Sequence, residues 1–247
     1  MLRAMDFEDV GSEIKYEFMM EKDFWMEYWQ KDDMIFRDHL QSKIGRTING
    51  QPISDEMWNK TTQYIADLMR CEKSHFFLDV CAGSGVFSDF FSTQVHGIDA
   101  VDISEPLLSN IKAPNVNKII GDLSAIKLDK EKYDRVLFYF AIQHFSLQEL
   151  PQILNNIFQS CKSGAVVLIG DIPDIEKKYD FFNSSERRAA YFNSLITCKP
   201  IIGEWFFRQD LVEMAKFIGF TKVTFLPQPG FCINAHYRFD LILEVER

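Results

Sequence analysis

Apolar residues along this chain fall into short unbroken blocks, separated by stretches with helical spacing. Phe76, Phe77, Leu78 and Val80 make the first block. A run of that length without polar alternation predicts a strand buried on both faces, as in a parallel sheet. It breaks at Ala82-Gly83-Ser84-Gly85, and Val86, Phe87, Phe90 and Phe91 follow with helical spacing. Further strands are predicted within Gln94–Ser104, at Val116–Ile120, in the run RVLFYFAIQHF after Tyr133-Asp134, and at Ala165–Gly170. Leu150, Ile153, Leu154, Ile157 and Phe158 share one face of a helix predicted over Leu147–Cys161. A last helix runs from Arg208 to Gly219, which ends it. Thr221–Leu226 and His236–Glu244 then read as strands joined through the turn at Pro227–Gly230. Strands alternating with helices predict an α/β domain.

Two regions stand outside that alternation. Residues 1–70 read as helical: Ser12 caps a helix to about Gln30 carrying Phe18, Trp25, Tyr28 and Trp29. A turn-rich stretch, RTINGQPIS, separates it from a helix that starts at Ser54, with Met57, Trp58, Ile65 and Leu68 on one face. The second region, Ile175 to about Phe207, is long for a connection in a compact domain, and such segments are usually functional. It gathers Lys177, Lys178, Arg187, Arg188 and Lys199 with Tyr179, Phe181, Phe182, Tyr191 and Phe192.

Composition narrows the partners. At 247 residues the chain suits one α/β domain with additions. A net charge of −9 argues against a nucleic-acid partner, because phosphate binding needs basic surface. No apolar run reaches the length of a membrane span, and MLRAMDFEDVGSEI lacks the apolar core of a signal peptide. The five cysteines are scattered without a CxxC, which predicts reduced thiols, no structural metal and a cytoplasmic location.

The glycine turn carries the candidate chemistry. Glycines let a ligand lie against the backbone, and a helix start adds free N–H donors. Asp79, in the strand before the turn, offers a carboxylate to a ligand's ammonium group. A dinucleotide site would want G-x-G-x-x-G, but Ser88 stands at the third glycine position. S-adenosylmethionine, with an amino-acid head and no phosphate, suits an acid in that strand better.

The stretch FFLDVCAGSG resembles the first motif of the class I S-adenosylmethionine-dependent methyltransferases, with Asp79, Gly83 and Gly85 on the pattern and Cys81 in place of its first glycine. DISEPLL is similar to the family's next segment, and Asp102 is preferred to Asp99 as the acid that accepts both ribose hydroxyls, with Ile103 beside it. Asp122 and Leu123 fall where the family binds the adenine edge, and the strand ending at His144 resembles its fourth segment. Phe140 and Ala141 would then border the adenine or the sulfonium.

That resemblance implies a three-layer Rossmann-like fold: a seven-stranded, mostly parallel sheet with an antiparallel last strand. Residues 1–70 would form an N-terminal helical cap and 71–247 the core, with 175–207 a helical lid. The cofactor would be S-adenosyl-L-methionine, leaving as S-adenosyl-L-homocysteine. It would be held by Asp79, Ala82, Gly83, Ser84, Gly85, Asp102, Ile103, Asp122, Leu123 and Phe140, with Trp29 from the cap. His144 is the candidate base or acceptor-orienting group, and Asp171 the alternative base. The acceptor is expected to be a small molecule, with Arg187 or Arg188 meeting an anionic one. The leading expectation is O-methylation of a sugar or glycan precursor, from a similarity to bacterial surface-glycan methyltransferases. Protein N-terminal or other N-methylation, and a catalytically inactive cofactor-binding partner protein, stand as alternatives.

Overall fold

The computed structural model describes residues 27–29, 47–48 and 51–247. The apolar blocks become β1 (Phe76–Val80), β2 (Gly97–Asp102), β3 (Val116–Ile120), β4 (Tyr133–Tyr139) and β5 (Cys161–Pro173), followed by β6 (Lys222–Pro227) and β7 (Arg238–Glu244). They form one seven-stranded sheet in the order β3-β2-β1-β4-β5-β7-β6. β1 to β5 pair in parallel, while β7 runs antiparallel to both β5 and β6. A separate two-residue ribbon pairs Thr47–Ile48 with Gln51–Pro52.

Alternate residues of the central strands feed two cores. Leu78, Val136 and Val167 face one side, where they meet α4 (Leu150–Ser160) and α7 (Arg208–Ile218). Phe77, Leu137 and Leu168 face the other, against α1 (Asp55–Met69) and α2 (Val86–Phe91). The result is three layers, which a sheet apolar on both faces requires. α3 (Glu105–Leu108) is a single turn, capped by Ser104, whose Oγ accepts from Leu107 N.

α1 packs on the sheet, with Ile65 and Met69 fully buried beside Phe77 of β1 and Leu137 of β4. The helix expected from Ser12 lies outside the described residues except for a helical turn at 27–29. The fourth strand stops at Tyr139, because Phe140 takes a left-handed φ of 65° and the chain turns into a 3-10 turn at Ile142–His144.

β5 is longer than its apolar core, at 13 residues, and carries the chain to the insertion. Asp174 and Phe206 then form a parallel bridge that closes the insertion's base. Within it lie α5 (Lys178–Phe181) and α6 (Ser185–Thr197), around a small core of Phe182, Ile202, Trp205 and Tyr237. No residue of α6 is buried.

Candidate functional site

The strand ends converge at the carboxyl edge of β1, β2 and β4, where open α/β sheets bind ligands. Each chain turn there is dictated locally. Cys81 leaves β1 at φ 56°, Gly83 follows at 55° and Gly85 at 73°, three left-handed residues in five. Ala82 N donates to Val101 O at 3.0 Å and Gly85 N to Ala82 O at 2.9 Å, so the loop is held without a ligand.

Beside this loop opens a cleft of about 930 Å³, lined among others by Cys81, Ala82, Gly83, Asp102, Ile103, Asp122, Leu123, Phe140, Ala141, His144 and Trp29. Asp102 sits at its centre. One carboxylate oxygen accepts from Gly83 N at 2.8 Å and the other from Ser104 N at 2.9 Å. Burial nevertheless raises its pKa above the usual carboxylate value. Ile103 N also donates to this carboxylate, which leaves it acceptor capacity for a ribose hydroxyl. Asp99, three residues earlier, is committed elsewhere: it accepts from Lys132 Nζ, Tyr133 Oη and Asn117 Nδ2 at 2.6, 2.5 and 2.9 Å. Asp122 turns one oxygen to Ser124 N and Oγ and still borders the cleft. Val101, Leu107 and Leu123 supply an apolar floor.

Three expected cofactor contacts, Asp79, Ser84 and Gly85, are not among the residues that line the cleft. Asp79 is buried and accepts from Ser88 Oγ at 2.6 Å, so the residue that breaks the dinucleotide pattern is a partner of Asp79. A β-carbon on Gly85 would stand 2.0 Å from Ile111 Cγ1, so the bare glycine makes room for that side chain.

His144 faces the cleft at the end of the 3-10 turn, with the Trp29 ring edge-on at 5.5 Å. Burial, then the nearby Arg238 guanidinium, pushes its pKa down to about 3. The imidazole is therefore neutral at physiological pH and a weak proton acceptor. Asp171 does not reach the cleft. It forms a buried ion pair with Arg238 at 2.8 Å and accepts from Asn234 Nδ2, which corrects its expected role as alternative base. Arg187 and Arg188 donate to the carbonyls of Phe181 and Phe182, so they brace the insertion.

Sequence reasoning passed over Tyr139 and Phe145, which also line the cleft. The Tyr139 ring lies flat over Gly170, where a β-carbon would stand 1.8 Å from the ring's Cε2. Its hydroxyl donates to Asp240 at 3.0 Å. Asp240 is fully buried, and burial raises its pKa to about 6 although Tyr64, Gln228 and Asp171 N also donate to it. Only the aromatic flank of the fourth block hinted at this wall. Among the described residues no cluster of His, Cys, Asp and Glu is arranged to hold a metal ion, and no helix is long and apolar enough to cross a membrane.

This donor set fits a sulfonium nucleoside: a carboxylate for the ribose, an apolar floor for the base, a glycine-bearing loop at the third side. Comparison with known proteins agrees. Residues 77–164 match the methyltransferase domain family. Over 183 residues the chain is 25% identical to the 18S rRNA (guanine-N(7))-methyltransferase bud23 of Schizosaccharomyces pombe, covering 68% of this chain and 66% of that enzyme. Phosphoethanolamine N-methyltransferase 2 of Haemonchus contortus, solved with S-adenosyl-L-methionine, superposes with a TM-score of 0.58 at 13% identity, over 77% of this chain and 53% of its own. A TehB-like methyltransferase dependent on the same cofactor, from Corynebacterium glutamicum, gives 0.53 at 14% identity, over 77% of this chain and 98% of its own. The chain thus spans just under two thirds of the yeast enzyme and about half of the nematode one.

Proposed function

We propose that this chain, whose residues 77–164 match a methyltransferase domain and whose fold is that of S-adenosylmethionine-dependent methyltransferases, moves the cofactor's methyl group to a small acceptor beside His144, on an atom that needs no proton removed before transfer. Asp102 would hold the ribose, Asp122 and Leu123 the adenine edge, and Cys81 to Gly83 the amino-acid end. The cofactor supplies an electrophilic methyl group; the protein's task is to align the acceptor atom with it.

The acceptor reading is supported by the geometry around the two expected bases: Asp171 is held in a buried ion pair by Arg238, and the half-buried His144, which lines the cleft near that guanidinium, has its basicity lowered. A sugar hydroxyl would need a general base. A ring nitrogen with a free lone pair, or an oxygen already ionised, would not, whereas an alkyl ammonium must first lose its proton. His144 then orients the acceptor through a hydrogen bond.

A second reading follows from the yeast relative, whose name gives guanine N7 of ribosomal RNA as its target. That atom also reacts through a lone pair. Against it stands the net charge of −9, since RNA binding draws on basic surface.

The deciding experiment screens labelled S-adenosylmethionine against small amines, carboxylates, sugars and RNA. Transfer to a small nitrogen or carboxylate acceptor is expected, with kcat/KM free of any limb near pH 6.5 and His144→Gln within about tenfold of wild type. Turnover only on sugar hydroxyls, abolished in His144→Gln, would overturn the acceptor reading. Turnover only on RNA, falling steeply with salt, would establish the second.

A further inference from the structure

The insertion contains a second cleft, of about 1050 Å³, separate from the cofactor cleft in its lining. Its wall is apolar: Ile175, Phe182, Leu195, Ile201, Ile202 and Trp205 line it. At the rim, Leu195 and Ile201 are 57% and 45% exposed, and Phe192 and Ile196 on the same helix and turn are exposed too. Leaving so much contiguous apolar surface in water is a feature of binding sites.

One cation is placed in this cleft. Lys178 Nζ lies 4.4 Å from the centre of the Tyr191 ring and 5.8 Å from that of Trp205, and donates to the Tyr191 hydroxyl. Among the described residues no carboxylate pairs with it. Glu204 also lines the cleft. Its backbone N–H donates to the carbonyl of Gln143 at 2.9 Å, in the turn that carries His144. The cleft wall and the cofactor cleft are thus neighbours across one hydrogen bond.

We propose that this second cleft receives the acceptor's apolar body, with an anionic group, carboxylate or phosphate, at Lys178. This rests on the small-acceptor reading above and names its class: an anionic amphiphile. The ammonium, held beside the Tyr191 and Trp205 rings and without a carboxylate partner among the described residues, favours a negative head. The apolar wall favours a carbon-rich tail over a sugar. It also moves the anion contact from Arg187 and Arg188, which are spent on backbone carbonyls, to Lys178.

The test uses three probes that share one body: 4-phenylbutyrate, 4-phenylbutanol and 4-phenylbutylammonium, titrated calorimetrically into the full chain. The carboxylate is expected to bind at least about fivefold tighter than the alcohol, with the ammonium weakest. It should also slow alkylation of Cys198, which lines the cleft and is exposed. Lys178→Met should bring the carboxylate down to the alcohol's affinity, and Lys178→Arg should restore the preference. S-adenosylhomocysteine should bind both variants as it binds wild type, which separates this result from a failure of the cofactor site or of folding. Equal affinities for all three probes, an unchanged preference in Lys178→Met, or no binding at all would overturn the proposal. So would a dimer that Leu195→Asp splits, since the cleft would then be a contact between copies.

Discussion

At Gly85 the backbone is left-handed and the nearest neighbour to a β-carbon is Ile111, not a ligand. Gly85→Ala is therefore expected to cost about 2–4 kcal/mol, from strain and overpacking together. Denaturant unfolding measures it, and pairing the change with Ile111→Ala should cost less than the sum of the two. Residues like this explain what the sequence could and could not tell. Asp102 was legible because a local signal, the Ser104 cap and the helix opening behind it, fixes where β2 ends. The fate of Asp171 was not, because its partner Arg238 lies far along the chain and only the pairing of β5 with β7 brings them together. The Ser88 contact of Asp79 was hidden for a similar reason. Ser88 looked like a missing glycine, yet its hydroxyl takes the carboxylate that a cofactor was expected to meet.

Among elements, the seam between β4 and β5 shapes the cleft most. Tyr139 pairs with Gly170 across it, and the absent side chain leaves room for the ring. Gly170→Ala would drive a methyl group into that ring and displace the wall formed by Tyr139 and Phe140. Its expected effect is a loss of S-adenosylhomocysteine affinity of more than tenfold, together with a lowered Tm. A fall in Tm alone, at unchanged affinity, would detach the seam from the site. Strand positions were readable because unbroken apolar blocks mark strands buried on both faces. The early end of β4 was not, since Phe140 is an apolar residue that reads as a continuation of the strand. Its positive φ arises from the turn it begins, with Phe140 N donating to Gly170 O at 3.1 Å.

For the molecule as a whole, the cofactor cleft borders residues from the first four strand ends, so a bound ligand would tie together much of the sheet. At a concentration one hundred times its Kd, S-adenosylhomocysteine should stabilise the fold by about 2.7 kcal/mol, a rise in Tm of roughly 5–10 °C for a chain of this size. Asp102→Asn should weaken that ligand by at least about tenfold and also lower Tm, because one acceptor becomes a donor that faces the N–H of Gly83 or Ser104. A thermal shift equal in both proteins would remove Asp102 from the ribose. The three layers and the antiparallel last strand were expected from the resemblance of the motifs to the methyltransferase family, and the sheet has both. The insertion's own small core, and the burial of α1 in the sheet, depend on contacts between distant segments.

The sulfur of Cys81 stands where the related motif has a glycine, on the wall of the cofactor cleft. Burial, then the carboxylates of Asp102, Asp79 and Asp122, hold its pKa well above that of an ordinary thiol. A thiolate there would be the strongest nucleophile near a sulfonium and would compete with any acceptor. Kept protonated, it is a poor one. Prolonged incubation with S-adenosylmethionine alone should thus leave the Cys81 peptide without a methyl mass increment. Burial first, and the acid cluster second, would then keep this thiol from consuming the methyl donor.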